Sequence, residues 1–135
     1  MPIITWTREQ FATDVDSHDH EHQMIFKMLN DLHELSTAGD RDAVGRQLDA
    51  LIGYVAEHFA AEERHMQQVG FAGFNAHKAE HDKLVGIALN LQGGFRAGAA
   101  EVDDAVTGLV RDWLTHHIPT FDKAYAGPMR AGGIH

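Results

Sequence analysis

The chain has 135 residues and 44% of them are apolar, which fits one self-standing globular domain and excludes a disordered tail. Lysine and arginine number 11 against 20 aspartates and glutamates, and a net charge of −9 argues against nucleic acid or anionic lipid as partner. The absence of cysteine excludes disulfides, thiolate metal sites and cysteine nucleophiles, while 11 histidines are an excess whose positions need a reason.

The opening MPIITWTREQF lacks a basic stretch followed by a long apolar run, so no secretory signal is expected. No segment reaches the roughly 18 consecutive apolar residues of a membrane span. The expected location is the cytoplasm. Residues 1–15 read as an N-terminal arm. A first helix is predicted over Asp19–Ser36, with Asp16 or Ser17 as N-cap and an inner stripe of His22, Ile25, Leu29 and Leu32. After the turn Thr37–Asp40, a second helix capped by Asp40 runs to Gln68. Its stripe is Val44, Leu48, Leu51, Val55, His58, Glu62, Met66 and Val69. The Val69–Phe74 turn precedes a third helix carrying Phe74, His77, His81, Leu84, Ala88 and Leu91, and Gln92–Gly98 is predicted to break it. A fourth helix carries Val102, Val106, Leu109, Trp113 and His117 until Pro119 ends or kinks it. The glycine-rich residues 126–135 are expected to fray. The fold class is all-α: a single domain over 1–135, built as an up-down-up-down four-helix bundle.

The stripes turn polar in one place. His58 and Glu62 continue the spacing of the second helix without a slip, and His22, His77, His81 and His117 do the same on the others. A lone buried histidine is usually a hydrogen-bonded core residue, but five histidines and a glutamate on inner faces are not explained that way. In the up-down topology all six fall at the same end of the bundle. His58/Glu62 and His77/His81 are each spaced i, i+4, so each pair aims two ligands at one cavity. Asp122 lies five residues after His117, off the face of an undistorted helix, and Pro119 offers the backbone distortion that would swing it back. Seven nitrogen and oxygen donors exceed a closed zinc site, and two carboxylates suit bridging, so a non-haem di-iron centre is the economical reading.

The segments around Trp6, DHEHQMIF at His22, HFAAEE from His58, HKAEH from His77 and HIPTFD from His117 resemble the hemerythrin family, in its single-domain bacterial form. The likeness spans nearly the whole chain. It implies two irons, oxo- or hydroxo-bridged, with one held by His77, His81 and His117, the other by His22 and His58, and both by Glu62 and Asp122. It further implies that dioxygen binds at the two-histidine iron. The expected partners are dioxygen and an oxygen-consuming enzyme, and the expected role is oxygen storage, buffering or transport without catalysis. Two positions depart from the usual pattern: Glu21 stands where a glutamine is common and His18 where an apolar residue is. His18 is expected at a solvated helix start. His116, turned about 100° from His117, belongs to the surface or backs a ligand. His20, His33, His65 and His135 are not expected to be ligands, and Glu63 is expected behind a ligand.

Three other functions fit less of the pattern. HKAEH also matches the inverted zinc-peptidase motif with Glu80 as base, but that leaves His22, His58, Glu62 and His117 without a purpose. Ferroxidases and oxidative di-iron enzymes use four carboxylates and two histidines, whereas five neutral imidazoles donate less charge and favour reversible binding over oxygen cleavage. A sensor of oxygen, nitric oxide or iron needs an output element, and no second domain is apparent. Ile25, Phe59, Trp113, Leu114 and Ile118, one turn from the ligands, are expected to line the oxygen pocket and keep it dry.

Overall fold

A computed structural model describes residues 2–135. Among them the regular elements are all helical: α1 (Arg8–Phe11), α2 (Asp16–Ala38), α3 (Arg41–Gln68), α4 (Phe74–Arg96), α5 (Asp104–His117), a π-helical turn (Ile118–Asp122) and α6 (Lys123–Ala131). The last three form one continuous rod, so four long rods make the four-helix bundle. α3 packs between α2 and α4, and α2 also meets α5. No helix is long and apolar enough to cross a membrane among the described residues.

Each rod ends where the local chemistry demands. Asp40 caps α3 by accepting from the Ala43 amide at 3.1 Å, and Asp103 caps α5 by accepting from Val106 at 3.0 Å. α3 closes with Gly70 in the left-handed region at φ 64°, where the Phe71 amide donates to Met66 O and the Gly70 amide to Gln67 O. That pairing satisfies two carbonyls the helix end would otherwise leave open. The start of α2 differs from expectation, since Val15 occupies the cap and offers no side-chain bond. Asp19 does the tethering instead. Its carboxylate accepts from the Thr13 amide and hydroxyl at 2.8 and 2.7 Å and from the Asp14 amide at 3.1 Å, which ties the arm to the bundle.

Two boundaries are corrected. α4 runs through Gly93 and Gly94 to Arg96, because Phe95 is buried in the core with the Arg41 guanidinium 4.0 Å above its ring. The burial of one aromatic outweighs the modest cost of two helical glycines. The C-terminal segment, expected to fray from residue 126, is instead helical to Ala131. Tyr125, Met129 and Ile134 close over Val15 and Met66, and the Ile134 amide donates back to Met129 O.

The main core joins Ile25, Phe26, Leu29 and Leu32 of α2 to Leu48 and Leu51 of α3, Phe95 of α4, and Val102, Leu114 and Ile118. The apolar spacing of three and four places these side chains on one face of each rod. An apolar cleft of about 240 Å³ opens beside this core, walled by Val55, Leu84, Ala88, Val106 and Val110.

Candidate metal centre

At the end of the bundle where α2 and α4 begin and α3 and α5 finish, the core turns polar. His22, His58, Glu62, His77, His81, His117 and Asp122 are all at most 2% exposed. Their donor atoms fall into two overlapping groups. One holds His77, His81, His117, Glu62 and Asp122; the other holds His22, His58, Glu62 and Asp122. Only the two carboxylates belong to both.

The carboxylates divide their oxygens between the groups. Glu62 Oε1 lies 3.2 Å from His81 Nε2 and 4.0 Å from His77 Nε2, while its Oε2 lies 3.4 Å from both His22 Nε2 and His58 Nε2. Asp122 Oδ1 is 2.9 Å from His77 Nε2 and 3.0 Å from His117 Nε2, and its Oδ2 is 3.0 Å from His22 Nε2. These separations are short, yet the atoms are not aligned as hydrogen bonds. Among the described residues, both ring nitrogens of His22, His77 and His117, His81 Nε2, Glu62 Oε1 and both Asp122 oxygens have no hydrogen-bond partner. Buried polar atoms left this way are costly. Neighbouring ligands of one transition metal, with bonds of about 2.1 Å at right angles, stand about 3.0 Å apart. The donor set therefore fits a pair of metal ions, with one carboxylate oxygen for each.

Electrostatics point the same way. Burial alone would raise Glu62 and Asp122 and lower His58, but the groups facing them prevail. His58, His22 and His81 hold Glu62 well below the usual carboxylate range, and Asp122 is held low by His117, His22 and His77. His58 is pushed up to about 10 by Glu62, Glu21 and Asp122. Without metal, the ionised carboxylates are balanced by protons drawn onto the histidines around them.

A family description, the hemerythrin HHE cation-binding domain, matches residues 13–127. The chain belongs to the hemerythrin family. It is 53% identical over 128 residues to a bacteriohemerythrin of Methylococcus capsulatus, covering 95% of this chain and 97% of the relative. A myohemerythrin of Sipunculus nudus is 30% identical over 116 residues, covering 82% and 91%. A crystal structure of wild-type hemerythrin superposes with a TM-score of 0.93 at 51% identity, covering 94% of this chain and 98% of that one.

The seven residues expected from the hemerythrin pattern all come together, Asp122 included. On an α-helix five residues turn about 500°, which would leave Asp122 about 140° from His117. The π-turn takes up most of that offset: the Lys123 amide bonds to Ile118 O, five residues back, and Asp122 sits about one wide turn above His117. Pro119 in this turn lacks the amide that an α-helix would use.

Around the cluster, Phe59 stacks on His81 at 3.7 Å and Trp113 on His117 at 4.1 Å. Ile25, Phe59, Leu114 and Ile118 are buried and Trp113 is half-buried. Glu63 stands behind His81, accepting from its Nδ1 at 2.9 Å. His116, His20 and His135 are exposed, and His33 bonds to Thr107 away from the cluster. Glu80 faces Lys83 at 3.5 Å and takes no part in the cluster, so the peptidase reading loses its base.

Two residues were misread or missed. His18, expected at a solvated helix start, is fully buried and bonded to Glu21 and His65. Its burial holds it below the ordinary histidine value. Tyr125, not anticipated as a site residue, is fully buried and donates its hydroxyl to Glu62 Oε2. Its spacing of three from Asp122 on a helix was the available signal.

Proposed function

We propose that the chain binds dioxygen reversibly at a pair of non-haem irons, storing or buffering it for an oxygen-consuming enzyme in the cytoplasm. The observation that carries this reading is the division of Glu62 and Asp122 between two donor groups, one oxygen to each. His77, His81 and His117 would hold one iron and His22 and His58 the other, with both carboxylates common to the pair. Bound there, the irons would supply the electrons that retain dioxygen and return on its release.

The rest of the work falls to the chain. Three histidines against two makes the donor set asymmetric, so an iron held by His22 and His58 would keep more open coordination. Stacking by Phe59 and Trp113 fixes the ring planes of His81 and His117. Ile25, Leu114 and Ile118 exclude water, so a bound ligand has few protons to take. Tyr125 donates its hydroxyl to Glu62 Oε2 and fixes the orientation of that carboxylate between the two donor groups. The role is binding without turnover, as the histidine-rich donor set favours.

Metal analysis of protein purified without added metal should give two irons per chain, and an anaerobic oxygen titration should change the optical spectrum reversibly. One zinc per chain with little iron would overturn the proposal.

A further inference from the structure

Beyond the seven donors, a second polar cluster lies behind one of them. Glu21 Oε1 is 3.0 Å from His58 Nδ1 and 3.0 Å from His18 Nδ1, and His18 Nε2 is 2.9 Å from His65 Nδ1. An ionised carboxylate only accepts, so both imidazoles carry their hydrogen on Nδ1. When a metal displaces the second proton of the ring, this leaves the lone pair of His58 on Nε2, facing the cluster. It also makes His18 Nε2 the acceptor for a hydrogen donated by His65 Nδ1. The chain of bonds has one direction, from the half-buried His65 through the buried His18 to the carboxylate.

The five cluster histidines are not treated alike. Nδ1 of His22, His77 and His117 has no partner among the described residues, whereas His58 is backed by Glu21 and His81 by Glu63. Each donor group thus contains one carboxylate-backed imidazole. The two carboxylates are both partly exposed and differ in their second partner: Glu63 has the half-exposed Lys78 at 4.0 Å, while Glu21 is held by His18, a side chain with no exposure. A buried histidine whose nitrogens are both spent on aiming a neighbour is more than packing.

We propose that Glu21 is a positioning residue for the metal centre, fixing the tautomer and orientation of His58, and that His18 braced by His65 fixes Glu21. The inference rests on the ligand reading of His58 given above. Such a carboxylate makes the imidazole a stronger donor, and its removal typically weakens metal binding by about 10–100-fold. The arrangement therefore tunes the two-histidine side of the pair independently of the three-histidine side.

The test uses the full chain loaded anaerobically with ferrous iron, with release to a ferrous chelator followed over time and thermal melting as the fold control. Glu21→Ala should release one of the two irons about 10–100-fold faster and leave the other at the wild-type rate. Glu21→Gln keeps an acceptor oxygen for both rings, so it should retain iron nearly as wild type does, while its midpoint potential rises because a negative charge is gone. His18→Leu should accelerate release less than Glu21→Ala. In a His58→Ala background, Glu21→Ala should add nothing further. Wild-type release of both irons from Glu21→Ala, an unchanged potential in Glu21→Gln, or an undiminished effect without His58 would each overturn the proposal. A wild-type chain holding fewer than two irons would instead overturn the parent reading.

Discussion

The two ends of the bundle share the same four rods and the same spacing of inward positions, yet they are completed differently. At one end Leu32, Leu48, Leu51, Phe95 and Val102 fill the space with apolar side chains, and folding alone satisfies them. At the other end five histidines and two carboxylates occupy equally buried positions, and most of their polar atoms have no hydrogen-bond partner among the described residues. Equal burial therefore has two meanings here. The first end is stable because the chain folded; the second becomes stable when protons or metal ions take the space between its donors.

The sharpest break of that contrast is at the carboxylates. Asp122→Ala or Glu62→Ala should remove most bound iron, since each residue contributes to both donor groups, whereas His116→Ala should leave the iron content unchanged. Iron per chain, measured on folded protein, decides it, and equal losses from all three would overturn the geometry assigned to the last rod. The opposite substitution is Leu48→Ala at the apolar end. It should cost roughly 2–5 kcal/mol in denaturant unfolding while the iron content stays at the wild-type level.

A pH series sharpens the comparison without mutation. In the metal-free chain His58 is raised to about 10, so the stability it contributes is complete below 6.5 and is lost as the pH rises from there toward 10. Glu62 and Asp122 are lowered, so their contribution is present above the usual carboxylate range and is lost as the pH falls through it. The melting temperature of the metal-free chain should therefore fall from pH 6.5 upward, and iron loading should flatten that fall by displacing the protons. A metal-free melting curve with no slope in this window would show that the cluster does not hold protons as described. The mildest expected effect is at the boundary between the two ends. Leu114→Ala should keep iron bound and shorten the life of the oxygenated form, read as a faster autoxidation rate on the same sample used for thermal unfolding. An unchanged rate would make Leu114 packing only.

The paired donors were legible because an interval of four on an α-helix keeps one face: His58 with Glu62, and His77 with His81, needed no further information. Asp122 was legible only as an exception, since nothing in α-periodicity places a residue five positions on beside His117. His18 was misread because a helix start is ordinarily solvated, whereas here His58 and His65 of α3 and Tyr125 of the C-terminal helix pack around it. Tyr125 and the last helix were hidden by their glycines, which suggest fraying locally. The apolar interval from Tyr125 to Met129 closes against Val15 and Met66, far away in the chain. What escaped the sequence was in each case set by a contact between distant segments.

The π-turn has a consequence for how such sites are found. A turn closed by a bond from residue i+5 to residue i brings the fifth residue above the first, as an ordinary α-turn does with the fourth. The chain here carries one residue more between His117 and Asp122 than a plain helix would need, and the bulge absorbs it without shifting the phase of the rod beyond. A histidine and aspartate spaced by four on an undistorted helix would present the same pair of donors. Two spacings are then one arrangement. A search pattern counted in residues would separate them, and one counted in helical phase would find both.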